Sequence, residues 1–298
     1  MLSLPGLSIS VVIPTKSRAA DLEKAVESLL AQTRLPDELV LVDQSPERSF
    51  TNPTSLPLRY IHDPSLTGLT AARNAGMKMA KGDVWLFLDD DVILEPAFIE
   101  KILAAYRPGV TGVSGIITNY ERPRAAHLLW ESIFARGPFA DDRQSVYWNA
   151  EALKSSAPIR VRYLGGGLMS FRAEVVRHLR FDTGLTGACP GEDIEFCAQL
   201  PREHILLITP SARLVHKRSP HGRADKHWLS LHAQVSSYMR ERHWKRGLFN
   251  NVCYLWLNIG YLAAATLSAF RRMSSEPWHA WRQGIETGAA IGNGTYIK

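Results

Sequence analysis

Residues 8–14 read SISVVIP, an apolar, β-branched run that predicts a buried strand. The period then changes. Leu22, Ala25, Val26, Leu29 and Leu30 fall at helical spacing, and Ser17 or Asp21 stands where a cap belongs, so DLEKAVESLLAQT predicts a helix. DELVLVDQS and LRYIHDP predict two more strands, GLTAARNAGMKMA a loop entering a helix, and DVWLFLDDD a fourth strand. AFIEKILAAY continues as a helix and GVTGVSGIITN as a strand. VRYLGGGLMSFRAEVVRHL predicts a strand, a glycine-rich turn and a helix; GEDIEFCAQL opens a helix, and ILLITPSARLVHKRS is a late strand. Residues 120–160 show no clear period. Strands alternating with helices predict an α/β fold, a mostly parallel sheet wrapped by helices. Such sheets bind ligands at the carboxyl ends of their strands, where Thr15, Asp43 and Asp89–Asp91 all stand.

From Pro220 the pattern differs. DKHWLSLHAQVSSYMRERHWKRG predicts a basic amphipathic helix, and residues 248–270 form a 23-residue, mostly apolar stretch followed by Arg271 and Arg272. The glycine-containing tail from Gly284 is expected to be loose.

Composition adds an asymmetry. The net charge of +6 is uneven: residues 201–298 hold 14 Lys and Arg against 5 Asp and Glu, which leaves 21 against 24 in residues 1–200. A basic C-terminal part beside a slightly acidic body points to an anionic partner, nucleic acid or a membrane surface. Cys189, Cys197 and Cys253 are too scattered for a disulfide framework and fit a reducing compartment. The N-terminus has no basic region before its apolar run, which argues against a secretory signal.

KGDVWLFLDDDVILEP places three aspartates at the end of a buried strand. Their mutual repulsion opposes folding unless solvent, an arginine or a metal ion answers it. Asp89 and Asp91, spaced by one residue, can face one small volume, and carboxylates suit Mg2+ or Mn2+ with open positions for phosphates. A solvated acidic turn or a helix cap is the bland alternative; the apolar run before the trio weighs against it.

The segments SVVIPTKSR, LVDQS, GLTAARNAGMKMAKGDVWLFLDDD, GGGLMSFRAEVV and GEDIEF together span residue 8 to about residue 216. In their order and spacing they resemble an inverting family 2 glycosyltransferase of the GT-A fold, of the bacterial polysaccharide or glycolipid type. The resemblance implies a Rossmann-like, mostly parallel sheet flanked by helices. It divides the chain into a glycosyltransferase domain over residues 1–218, with a nucleotide-sugar half at about 1–118 and an acceptor half at about 119–218. A helical, membrane-associating region follows over 219–298.

The same resemblance implies roles. Pro14 and Thr15 line the base pocket, and Asp43 accepts a hydrogen bond from the nucleobase. Gln44 stands where family members often carry a second acid. Arg73 and Asn74 sit beside the nucleotide, with Arg73 on a phosphate or, alternatively, paired to the aspartates. Asp89, Asp90 and Asp91 form the acidic motif; Asp91 holds the metal, and Asp89 faces the ribose or an outer-shell water. His216 completes the metal site or touches a phosphate. Asp193 is the favoured base, with Glu192 as the alternative base or an acceptor ligand. Helix capping by this acidic pair is compatible with either role. Gly165–Gly167 fit close backbone approach to a bound sugar or diphosphate, or simply a tight turn.

The expected partners are a UDP-, GDP- or dTDP-sugar donor, a saccharide or lipid-linked acceptor, and the cytoplasmic membrane face, with no nucleic acid and an undetermined oligomeric state. Two other classes compete with this one. Nucleotidyl or phosphoryl transfer lacks any GxxxxGK[ST] loop. A nucleic-acid module would use the C-terminal Arg, Lys and Trp residues, yet these flank a long apolar segment that such contact does not require. Residues 248–270 are long enough to cross a bilayer of roughly 30 Å. Asn250, Asn251 and Asn258 oppose that, and cations on both sides (Arg240, Arg242, Lys245 and Arg246 before, Arg271 and Arg272 after) give no inside end. An in-plane helix on an anionic surface is favoured over a buried or dimer helix and over a span.

Overall fold

The computed structural model describes residues 6–50, 55–120, 124–135, 154–185, 190–219, 228–244 and 247–295. Cys189, Lys245 and Arg246 lie outside these residues. The described elements are β1 (Ile9–Thr15), α1 (Ala19–Leu30), β2 (Glu38–Asp43), β3 (Leu58–His62), α2 (Leu69–Met79), β4 (Val84–Leu88), β5 (Val92–Leu94), α3 (Phe98–Ala105) and β6 (Val110–Ile117). They continue as α4 (Ala125–Phe134), β7 (Ile159–Val161), β8 (Leu168–Arg172), α5 (Ala173–Val176), α6 (Glu192–Ala198), β9 (Ile205–His216), α7 (Trp228–Arg242), α8 (Leu248–Arg272) and α9 (Glu276–Gly292). Two compact units result, residues 1–121 with 147–222, and residues 122–146 with 223–298. Ala125–Phe134, within the stretch expected to belong to the acceptor half, falls in the second unit.

The first unit is built on a nine-stranded sheet in the order β3-β2-β1-β4-β8-β6-β9-β5, with β7 added on β9. β1 pairs in parallel with β2 and β4, and β2 with β3. β8 enters antiparallel between β4 and β6, while β6 and β9 are parallel to each other. β1–β4, β6 and β9 thus share one direction, and β5, β7 and β8 run against them. Every residue of β1, β2 and β4 is buried, as an uninterrupted apolar run requires of a sheet covered on both faces. The two faces are separate cores. Val11 and Ile13 pack with Leu22, Val26 and Leu29 of α1 and Phe98 of α3. Val12, Val40 and Val42 pack with Ala72 and Met77 of α2 and Phe196 of α6. Each fully buried Leu or Phe here contributes on the order of 1.5–3 kcal/mol of transfer free energy.

Three local details depart from the sequence expectations. Val92–Leu94 forms a short strand that pairs antiparallel with the end of β9. The glycine-rich turn lies between two strands, β7 and β8, and the following helix α5 spans only four residues. The tail from Gly284 is helical, because α9 runs to Gly292 with Gly284, Gly288 and Gly292 stacked on one face. A methyl group on Gly284 or Gly288 would run into the backbone carbonyl of Ser230 or Gln234 on α7. Ser237 Oγ donates to the Ile285 carbonyl at 2.9 Å across the same contact. Small residues at four-residue spacing let the two backbones approach, so the glycines seat this helix rather than loosen it.

The second unit also holds α4 and α8. Trp130 Nε1 donates to the Gly260 carbonyl at 2.8 Å, and the Trp130 and Tyr261 rings lie 5.2 Å apart. Cys253, Leu257, Tyr261, Ala265 and Ala269 form the covered side of α8. Leu248, Leu255, Leu262, Phe270 and Met273 remain exposed.

Candidate active site

The register of the parallel strands sets the site. Thr15 ends β1 opposite Asp43, which ends β2. Asp89 follows the last residue of β4, and Leu88 faces Leu168, so the Gly165–Gly167 turn reaches the same edge of the sheet. His216 ends β9 opposite Val92. Residues far apart in sequence therefore meet at one rim.

The three aspartates are answered by different partners. Asp90 turns inward, accepting from Thr15 Oγ1 at 2.7 Å and from Arg18 at 3.0 Å. Burial pushes its pKa up to about 6, and the contacts with Thr15 and Arg18 oppose that rise. Asp91 is almost wholly buried; its Oδ1 lies 2.9 Å from His216 Nε2, and its Oδ2 accepts from the Ser219 amide at 2.9 Å. Burial raises its pKa, but His216 and Ser219 more than offset this and hold it below the ordinary carboxylate value. Asp89 is the most open of the three, with Oδ1 3.3 Å from Arg73 and Oδ2 3.6 Å from His216. Ligand atoms of Asp89, Asp91 and His216 all lie within 4.8 Å of one another. Two carboxylates and an imidazole converging there fit a divalent cation of the Mn2+ or Mg2+ kind. The inward turn of Asp90 leaves it out of that group, and its carboxylate is committed to Thr15 and Arg18.

Arg73 links the acidic motif to the second acidic pair. It is fully buried on α2 and donates to Glu192 Oε1 at 2.7 Å and to the Gly166 carbonyl at 2.7 Å. Its guanidinium lies 5.5 Å from the Phe181 ring centre. Of the two expected uses of Arg73, pairing with carboxylates is the one present in the structure. Asp193 is half-buried, and its carboxylate accepts from the Gly166 amide at 2.9 Å and the Ile194 amide at 2.8 Å. Burial raises the pKa of Asp193 and raises that of Glu192 to about 8; the Asp193 charge adds to the rise at Glu192, and Arg73 opposes it. Neither side chain caps α6, whose start is made by Gly191 in the left-handed region at φ 81°.

The glycine turn is required by these acids. A Cβ on Gly166 would sit 2.5 Å from Glu192 Oε1 and 3.3 Å from the Arg73 guanidinium, and one on Gly167 would sit 2.9 Å from Asp89 Oδ2. The close approach expected toward a ligand is, in the structure, an approach to the protein's own charged groups.

Asp43 is fully buried at the end of β2. Its carboxylate accepts from the Ser45 amide at 2.9 Å, the Ser49 amide at 2.6 Å and the Tyr60 hydroxyl at 2.5 Å. Burial raises its pKa, and these hydrogen bonds together hold it below the ordinary value. Pro14 is buried within β1 beside it. Gln44 ties the approach to α2, donating to the carbonyls of Leu66 and Gly68 at 2.8 and 3.1 Å. Asn74 spends its amide on the backbone of Phe181, donating at 2.8 Å and accepting at 2.9 Å. It thereby positions the ring beside Arg73 and is not part of the acidic cluster.

Sequence reasoning missed Arg18, Tyr60, Ser49 and Ser219. Arg18 had a readable signal, a cation three residues beyond a strand-end threonine; Tyr60 stands in β3, where only the pairing with β2 brings it to Asp43, and Ser49 and Ser219 reach the site through loops whose paths no periodicity encodes.

The sequence of residues 10–177 matches the model of the family described as glycosyl transferase family 2. The chain belongs to glycosyl transferase family 2. A relative from Bacillus subtilis strain 168, the uncharacterized glycosyltransferase YwdF, is 36% identical over 247 residues, covering 81% of this chain and 85% of that protein. The O-antigen biosynthesis protein RfbC of Myxococcus xanthus is 27% identical over 255 residues, 76% of this chain but 19% of that protein. The match to an uncharacterized glycosyltransferase of Haemophilus influenzae likewise spans only 33% of that protein. Among solved structures, a mannosyltransferase from Pyrobaculum calidifontis in complex with GDP-Man and Mn2+ superposes with a TM-score of 0.56 at 16% identity, over 96% of this chain and 87% of that one. GalNAc-T7 with UDP, GalNAc and Mn2+ gives 0.52 at 19% identity, over 79% of this chain and 50% of that one. The glycosyltransferase has the GT-A fold expected of it, with the strand-end rim at the place where such sheets hold ligands.

Proposed function

We propose that this glycosyltransferase moves a sugar from a nucleotide-sugar to an acceptor hydroxyl with inversion at the anomeric carbon, dependent on a divalent metal, in the synthesis of a cell-surface polysaccharide or glycolipid. The observation that carries the reading is the convergence of Asp89, Asp91 and His216 at the strand-end rim, joined through Arg73 to Glu192. Those three side chains would hold Mn2+ or Mg2+, whose chemistry there is to neutralise charge growing on the departing nucleoside diphosphate. The imidazole among the donors favours Mn2+. Mannosyl and GalNAc transfer structures with Mn2+ support the same assignment by analogy of fold.

Asp193 acts as the base. Its neighbour Glu192 is bound to Arg73, whereas Asp193 is held only by two backbone amides and keeps lone pairs for an acceptor hydroxyl. Gly166 fixes that carboxylate from one side, and Arg73 holds the same glycine from the other. Arg73, 3.3 Å from Asp89 Oδ1, would also offer positive charge to a diphosphate held at that rim. Asp43, with Pro14 and Thr15, shapes the base pocket; because its oxygens already carry donors, a nucleobase N–H would replace one of them, the hydroxyls of Tyr60 and Ser49 being the side-chain donors among them.

The test is a donor screen. Purified protein is incubated with Mn2+ or Mg2+ and UDP-, GDP- and dTDP-sugars, and nucleoside diphosphate release is measured. One donor is expected to turn over with metal and stop with a chelator. Turnover of none, or turnover indifferent to chelation, contradicts the proposal.

The proposed place of work is the cytoplasmic membrane face. α8 has 25 residues and is long and apolar enough by length and composition to cross a membrane, a property that core helices share. One side is covered within its own unit, the other exposes Leu248, Leu255, Leu262 and Phe270, and the helix contains no acid and ends in Arg271 and Arg272. That amphipathic use supports a helix lying in the surface of an anionic bilayer, where a lipid-linked acceptor is at hand.

A further inference from the structure

Asp21 stands in the first turn of α1, where the sequence offers it as a cap, yet α1 begins after Arg18 with no side-chain cap. Its carboxylate is spent instead on the chain that leaves β9. Oδ2 accepts from Ser219 Oγ at 2.6 Å, and Oδ1 lies 3.7 Å from Lys217 Nζ. One carboxylate thus holds the residues on both sides of Arg218. Arg218 has a φ of 54°, in the left-handed region that residues with a Cβ rarely occupy. Such a conformation persists only where its surroundings over-determine it.

The bent segment meets the acidic motif. The Ser219 amide donates to Asp91 Oδ2 at 2.9 Å, and the Lys217 amide donates to the Asp91 carbonyl at 2.9 Å. Asp91 Oδ2 is therefore turned to backbone, while Oδ1 faces His216 Nε2 at 2.9 Å. The backbone of His216 is fixed separately by Asn119, whose amide donates to the His216 carbonyl at 2.9 Å and accepts from its N–H at 3.0 Å. Three residues further on, Asp21 supplies the second fixed point. Its neighbour Leu22 is fully buried in the core with Val11 and Ile13, so this point sits on a rigid element.

Of the two contacts of Asp21, the hydroxyl carries the weight. The side chains of Asp21 and Lys217 are 25% and 29% exposed, and an ion pair at 3.7 Å in that setting contributes little. The Ser219 hydroxyl on a carboxylate at 2.6 Å is a short, charge-assisted bond, made by the same residue whose amide binds Asp91.

We propose that Asp21 is a positioning residue for the metal site: through Ser219 it keeps Asp91 Oδ1 and His216 directed at one point. Its own carboxylate is not among the three groups that converge there. The proposal rests on the reading of Asp89, Asp91 and His216 as metal ligands.

The experiment titrates Mn2+ into the full chain with UDP, GDP and dTDP supplied together, and reads the free ion by electron paramagnetic resonance against a protein-free blank. Asp21→Ala, with its circular dichroism spectrum unchanged, should raise the Mn2+ dissociation constant at least about tenfold, the low end of what hydrogen-bond partners of metal ligands contribute. A merely structural role would lower the melting temperature and leave that constant alone. Ser219→Ala keeps the amide on Asp91, removes only the hydroxyl, and should reproduce most of the loss; it decides the matter if Asp21→Ala does not fold. Asp21→Ala/Ser219→Ala should lose no more than Asp21→Ala, whereas independent losses would add. Parent-like affinity in either single variant, or additive losses in the double variant, overturns the proposal. Asp91→Ala separates the two readings. If it binds Mn2+ as the parent does, or if the parent binds none, the metal assignment fails and the positioning role with it. If it loses the ion while Asp21→Ala and Ser219→Ala keep it, the positioning role alone fails.

Discussion

Replacing Asp193 by asparagine keeps the side chain's size and one acceptor oxygen, enough for either the Gly166 or the Ile194 amide, but removes the carboxylate that can take a proton. Donor binding should survive while kcat falls by roughly 10²–10⁴-fold, the range of general-base contributions. Undiminished transfer in Asp193→Asn would remove that residue from the mechanism. Glu192 gives a different signature. Its pKa is raised from an ordinary carboxylate value to about 8, by burial first and the Asp193 charge second. The stability it contributes is fully present below the unfolded value and is lost as pH rises toward 8. Asp90, raised to about 6, adds a slope of the same sign in the lower part of that range. Between pH 6.5 and 8.5 the difference between the parent and Glu192→Gln isolates Glu192: the urea midpoint of the parent should drop more steeply. Parallel profiles would contradict the assigned environment. The motif residues themselves were readable because they stand at strand ends in quoted order. What was not readable is which carboxylate each cation chooses. Arg73 could face a phosphate or an acid from sequence alone, and only the β4–β8 register, which delivers Gly166 to it, decides that in this structure it binds Glu192.

At the scale of elements, two glycine sets behave alike. Gly166→Ala would place a methyl against Glu192 and Arg73, and overpacking of this kind costs on the order of 1–3 kcal/mol. Gly288→Ala would press on the Gln234 carbonyl of α7 with a similar cost, but in the second unit. The expected pattern is loss of transfer with modest destabilisation for the first, and destabilisation with near-normal transfer kinetics for the second, read by thermal melting and initial rates. Strands β1, β2 and β4 were legible because continuous apolar runs have one interpretation in a covered sheet. α9 was not, because glycines at four-residue spacing carry low helix propensity and gain their helix only from the backbone of α7. β5 is a three-residue strand set by its pairing with β9, too short to show a period of its own.

At the scale of the whole molecule, charge and hydrophobicity divide the labour. The acidic rim sits in the first unit, and the exposed apolar side of α8, with Arg271 and Arg272 at its end, sits in the second. Leu255→Glu/Leu262→Glu should lower the partition constant on phosphatidylglycerol-containing vesicles, read by co-sedimentation, by about a hundredfold or more, since two buried leucines are worth about 3–6 kcal/mol of transfer free energy. Rates on a soluble acceptor should be unchanged. Equal vesicle binding by both proteins would rule out this helix as the docking surface. The glycosyltransferase family was legible from motif order, whereas the place of α4 in the second unit was not, since the stretch around it has no period to assign.

Mn2+ binding followed by electron paramagnetic resonance probes the acidic rim without reference to any particular donor or acceptor. Titration of the parent protein with Mn2+ in the presence of a nucleoside diphosphate should show one bound ion, lost in both Asp91→Ala and His216→Ala. Full Mn2+ occupancy and unaltered sugar transfer in Asp91→Ala would contradict the account.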